Sequence, residues 1–77
     1  MIAILTHNIE MALRDLGYQR TISEYSRTKR KGLFCSGREF MIVTLPEQLA
    51  GMRISDYRII GHPEPELVEM ARARMVL

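Results

Sequence analysis

The hydrophobic positions of this chain change their period from one segment to the next. Ile2-Ala3-Ile4-Leu5 is an unbroken apolar run with β-branched members, which suits a strand covered on both faces, as in a parallel sheet. From Ile9 the period lengthens. Ile9, Ala12, Leu13 and Leu16 stand at i, i+3, i+4 and i+7, a single helical stripe. Asn8 is placed to cap that helix, Glu10 in its first turn suits the dipole, and Gly17 is placed to end it in the left-handed conformation.

The middle of the chain is less regular. Between Arg20 and Ser26 only Ile22 and Tyr25 are large and apolar, which predicts a short edge strand. Arg27-Thr28-Lys29-Arg30-Lys31-Gly32 is a polar turn, after which Leu33-Phe34-Cys35 resumes an apolar run. Ser36-Gly37 is a hairpin signal. A strand returns from Arg38 to Leu45, centred on Phe40-Met41-Ile42-Val43. Pro46 can open a short helical turn with Leu49 and Met52 as its apolar contacts and Gly51 as its stop. Tyr57 to Ile60 reads as a further strand. Pro63 and Pro65 then precede a last helix, with Glu64 and Glu66 at its start and Arg72 and Arg74 near its end, as the macrodipole favours. Leu67, Met70 and Ala71 line one face of it, with Val68 and Met75 beside them. Apolar strands alternating with amphipathic helices predict one small α/β domain over residues 1–77, with a partly parallel sheet of four to five strands and two main helices.

Composition narrows the function classes. A chain of 77 residues is too short for two domains or for a large substrate-enclosing enzyme. It buries only about 60% of its unfolded surface. With 47% hydrophobic residues and a net charge of +2 it is not the composition of a disordered chain. Cys35 is the single cysteine, so no intramolecular disulfide framework exists. One thiol and two histidines make no zinc-finger pattern, and neither metal nor cofactor is expected. The opening apolar run is shorter than a signal-peptide core of about 7–15 residues. No stretch approaches the roughly 20 apolar residues of a membrane span. A cytoplasmic protein without membrane contact is the expectation.

The small net charge conceals an uneven layout. Six basic residues (Arg20, Arg27, Lys29, Arg30, Lys31, Arg38) and one acid (Glu24) lie between Tyr18 and Arg38, for a local +5, and the remainder carries five basic and eight acidic residues, for −3. An acidic body thus carries a basic middle. Arg27, Lys29, Arg30 and Lys31 concentrate four positive charges in five residues. Such a group can neutralise phosphates with release of counterions, sit against an acidic protein surface, or simply keep a small protein solvated. Tyr25 and Phe34 flank it as candidate anchors, able to stack on unpaired bases, and Arg38 adds a further charge.

Other residues carry weaker suggestions. If the strands run parallel, His7 and His62 share a rim with Thr44 at the strand ends, where open α/β sheets bind ligands. Glu64 is the only carboxylate near enough in sequence to partner them, and His62 before Pro63 also reads as a plain loop residue. Cys35 reads as a small buried residue. Met11 falls off the first helical stripe and Met52 near a turn, either as gap-fillers or as adaptable contacts. The apolar Met75-Val76-Leu77 must fold back or dock on another chain, which makes a homodimer one of the expectations.

One resemblance extends over residues 2 to about 60. Ile4-Leu5-Thr6-His7-Asn8 with Ala12, the hairpin at Ser36-Gly37, the Leu49-Ala50-Gly51 element and the strand ending in Ile59-Ile60 resemble, in order and type, the P-loop ATPase core of helicases and phage terminases. The chain departs from that pattern by having no Gly-rich phosphate loop with its Lys and Ser/Thr, and by carrying Gly61-His62 where the paired acids belong. The resemblance therefore implies a stripped, non-hydrolysing relative of phage or mobile-element origin. In kind, such a chain resembles small anti-CRISPR proteins.

Together these readings predict a non-enzymatic interaction protein that occludes a surface of a larger protein or nucleoprotein complex. Arg27, Lys29, Arg30, Lys31 and Arg38 would meet an acidic groove or a phosphate site, with Tyr25 and Phe34 as anchors. The alternative is direct nucleic-acid binding through the same residues. A small enzyme would rest on His7 and His62 alone.

Overall fold

The computed structural model describes residues 1–75. Strand β1 (Ile2–Thr6) leads into helix α1 (Ile9–Leu16) and a short helical turn, α2 (Tyr18–Thr21). Strands β2 (Ile22–Ser26), β3 (Lys31–Phe34) and β4 (Glu39–Val43) follow. A 3-10 turn (Pro46–Leu49), strand β5 (Asp56–Ile60) and helix α3 (Pro65–Arg74) complete the order.

The five strands form one sheet in the order β2-β3-β4-β1-β5. β1 pairs in parallel with β4 on one side and β5 on the other, so that Ile2 is level with Phe40 and Asp56, and Leu5 with Val43 and Ile59. β3 runs antiparallel to both β2 and β4. This is the small, partly parallel α/β domain that the apolar pattern predicts.

The continuous apolar run of β1 is explained by its central position. All five of its residues are buried, and their alternation divides the core in two. Ile2 and Ile4, with Phe40 and Ile42 of β4, face Ala12 and Leu13 of α1. Ala3 and Leu5, with Met41 and Val43, face Leu49, Ile54 and the Leu67 and Ala71 side of α3. Each fully buried Leu, Ile or Phe contributes about 1.5–3 kcal/mol relative to exposure, so a layer on both faces is what makes so short a chain foldable.

Local signals place the helices as expected. Asn8 Oδ1 accepts the Met11 N–H at 3.1 Å, capping α1. Gly17, at φ 74°, closes the helix by donating its N–H to the Arg14 carbonyl at 3.1 Å. Thr6 Oγ1 bonds both the N–H and the carbonyl of Asn8 at 3.2 Å, which satisfies a buried hydroxyl and fixes the turn out of β1.

The edge strand begins later than expected and is not a regular one. Residues 18–21 form a helical turn because the Gly17 carbonyl accepts the N–H groups of both Arg20 and Thr21. The β2–β3 register then shifts between Ile22 and Glu24. The extra residue puts Ile22 and Tyr25 on the same side, both against the α1-facing core, where strict alternation would place them on opposite faces. Opposite Tyr25 lies Gly32. A Cβ there would stand 2.7 Å from Phe40 Cζ and would also collide with the Glu24 carbonyl, so only glycine lets the Phe40 ring lie against β3.

The connections position everything that follows. α1 leaves β1 on one face of the sheet, whereas the chain leaves β4 and β5 on the other, into the 3-10 turn and α3. The carboxyl ends of β1, β4 and β5 therefore form a common rim at which the chain departs to opposite faces. No helix among the described residues is long and apolar enough to cross a membrane. Of the apolar terminal segment expected to fold back or dock, Met75 bridges to Ile54; Val76 and Leu77 lie outside the described residues.

Candidate functional site

The basic segment occupies the tip of the β2–β3 hairpin, at the same end of the sheet as the β1, β4 and β5 carboxyl ends. Its four cations do not share one environment. Arg27 pairs with Glu10 in the first turn of α1 through two hydrogen bonds, the longer being Nη2 to Oε2 at 3.3 Å. The Arg27 hydrogen bond holds the Glu10 carboxyl below the usual carboxylate range; desolvation opposes it, and the charges of Arg27 and Arg14 add to it. Arg30 sits at φ 56° and is half-buried, with its Nε enclosed and lacking a hydrogen-bond partner. Its carbonyl accepts the Ile42 N–H at 2.9 Å, which ties the turn to β4. Lys29 and Lys31 are exposed. Neither has an acidic partner among the described residues, where Arg27–Glu10 is the ion pair present. The tip's free charge is thus lysine.

The two aromatic residues expected as anchors turn inward. Phe34 is 7% exposed and stacks on Phe40 with centroids 4.5 Å apart. Tyr25 is half-buried and stacks on the same ring at 6.1 Å, nearly parallel at 7°. Three rings centred on Phe40 form the aromatic part of the α1-facing core. The register shift in β2 is the physical reason for Tyr25; for Phe34 it is the pairing with Ile22, which places both on that face.

Arg38 lies at the opposite end of β3 from the tip, roughly 10 Å or more away by strand rise. The seven residues expected to act together are therefore divided between tip, core and foot. At the foot a cavity of about 300 Å³ opens between α2, the β3–β4 turn and β5. Arg20, Arg38 and Arg58 line it. Cys35 lines it too and is exposed, correcting its reading as a buried residue; its thiol donates to the Arg20 carbonyl at 3.4 Å. Arg20 was counted in the basic middle but not as a site residue, and Arg58 was not noted from the sequence. The one available signal was a charged residue interrupting the apolar strand Tyr57-Arg58-Ile59-Ile60.

The strand-end rim does bring His7 and His62 together. The His62 N–H donates to His7 Nδ1 at 2.9 Å and the rings lie 5.9 Å apart. A neutral His7 accepting at Nδ1 carries its proton on Nε2. Gly61, at φ 77°, makes this approach feasible, because a Cβ there would stand 2.6 Å from His7 Cε1 and would strike the Met11 methyl. Met11, off the helical stripe, serves as the cover over this turn. Among the described residues no group of three or more His, Cys, Asp or Glu is arranged to hold a metal. What the pair visibly does is join the end of β1 to the end of β5. Comparison with protein-family models, with curated proteins and with solved structures finds no match to this chain.

Proposed function

We propose that the protein is a non-enzymatic interaction module that docks the β2–β3 tip against an acidic surface of a larger, nucleic-acid-handling complex and occludes it. The tip supplies Lys29 and Lys31 as exposed charge, on a turn held by the Arg27–Glu10 pair and the Arg30–Ile42 backbone bond. A turn fixed in this way loses little conformational freedom on docking. The occlusion reading is of the kind that small phage inhibitors of CRISPR effectors exemplify.

The inward orientation of Tyr25 and Phe34 leaves the docking reading to the tip lysines without aromatic anchors, and it favours that reading over binding to unpaired bases. Binding to unpaired bases combines a cationic groove with exposed aromatic platforms. Here the charges are at the surface, Phe34 is buried, and Tyr25 is half-buried against the core. The test is capture of partners on tagged protein from a lysate of its host, with and without nuclease, using wild type and a Lys29→Glu/Lys31→Glu double variant. A specific protein retained after nuclease and lost with the charge reversal is the expected result. Retention of nucleic acid alone, with every protein lost on digestion, overturns the reading in favour of direct nucleic-acid binding.

A further inference from the structure

We infer that the cavity at the foot of the sheet is a binding site for a small phosphate monoester carrying an organic group, of the size of a nucleoside monophosphate. This site is separate from the tip and independent of the docking reading. Three arginines from three different elements line it: Arg20 from α2, Arg38 from the β3–β4 turn and Arg58 from β5. None of the three has a carboxylate within ion-pair distance among the described residues. Asp15 lines an adjoining hollow that shares Thr21 and Arg58, yet no ion pair closes there.

Three unneutralised guanidinium groups around one cavity repel one another, and an anion placed between them removes that repulsion. Guanidinium is planar and matches two oxygens of a phosphate at once. The hydroxyls of Thr21 and Ser36, which also line the cavity, are further donors for phosphate oxygens.

The rest of the cavity argues for more than a bare ion. Its volume, about 300 Å³, is at the lower bound for organic-ligand sites. Ile2 and Phe34 give it an apolar floor. The Arg58 guanidinium carbon lies 5.9 Å from the Phe34 ring centroid, on a ring already stacked against Phe40. That contact restrains a long side chain reaching across β1 from the far edge, and a guanidinium fixed over a ring leaves a flat outer face on which a planar group can stack.

The experiment is an amide-resolved NMR titration of the intact protein with adenosine 5′-monophosphate, adenosine and inorganic phosphate in turn. The monophosphate should give saturable shifts at residues 20–21, 35–38 and 58. It should bind about tenfold more tightly than inorganic phosphate, and adenosine should give none of these shifts. Arg38→Gln and Arg58→Gln should each weaken the monophosphate about tenfold, whereas Arg53→Gln, which removes an equal charge elsewhere, should change its Kd by less than twofold. Because Arg58→Gln also removes the contact with Phe34, a readout on wild type accompanies it: the monophosphate should protect the Cys35 thiol from N-ethylmaleimide. Absence of saturable shifts, equal weakening by Arg53→Gln, affinity for inorganic phosphate equal to that for the monophosphate, or no protection of Cys35 overturns the assignment.

Discussion

The two ends of β3 carry the same kind of residue in opposite circumstances. At the tip, arginine is engaged. Arg27 forks onto Glu10, and Arg30 is half-buried in a left-handed turn whose carbonyl holds β4. At the foot, Arg20, Arg38 and Arg58 line a cavity, and none of them has an ion pair among the described residues. The four-charge run at the tip is the more conspicuous in sequence. The foot, drawn from positions up to 38 residues apart (Arg20 to Arg58), is where three arginines stand around one cavity without an ion pair among the described residues, whereas the tip's free charge is lysine. Local density of charge in a chain and availability of charge in a fold are therefore different properties.

The largest test of this contrast acts on the ring that floors the foot. Phe34→Ala removes a buried aromatic from the Phe40 stack and should cost about 3–4 kcal/mol in denaturant unfolding. An exposed anchor would leave the unfolding midpoint almost unchanged, which is the outcome that would return Phe34 to a surface role. Next is Gly32→Ala, midway along β3. Its Cβ meets the Phe40 ring and the Glu24 carbonyl, so a loss of about 2–3 kcal/mol is expected from overpacking.

Smaller effects should differ in sign between the ends. Arg38→Gln relieves repulsion at the foot and should raise the thermal midpoint slightly. Arg27→Gln leaves Glu10 without its partner and should lower it. Calorimetry at low salt reads both, and equal signs would erase the distinction. The smallest effect is in pH. Glu10 has a lowered pKa in the folded protein, so its contribution is present above the unfolded carboxylate pKa and is lost as pH falls through the lowered folded value. The difference in midpoint between wild type and Glu10→Gln should be measurable at neutral pH and shrink to nothing in acid.

The legibility of the chain follows from which interactions are local. β1 and α1 could be read because each obeys one period over its whole length and α1 has its own cap and stop in Asn8 and Gly17. The 18–21 turn could not, since four residues hold no period and their helical bonds depend on the Gly17 carbonyl. Strict alternation would put Ile22 and Tyr25, three apart, on opposite faces, and the register shift that brings them to one has no local signal. His7 and His62 were legible as rim residues because parallel strands force their ends together. Of the foot, Arg20 and Arg38 were legible as part of the basic middle, but their meeting with Arg58 was not. The foot's composition depends on Arg58 reaching across β1 from a strand whose place beyond β1 no segment of sequence specifies.

The central position of β1 has a kinetic consequence. Ile2 pairs with Phe40 and Asp56, so this strand is completed only by segments far along the chain, whereas β2, β3 and β4 are joined by short turns around their own aromatic stack. Closing long loops before their contacts form is slow. The meander should assemble early and offer the edge of β4 as a template, on which β1 and then β5 condense. Substitutions such as Ile60→Val should then quicken unfolding and leave the refolding rate nearly unchanged, while Phe40→Leu should slow refolding.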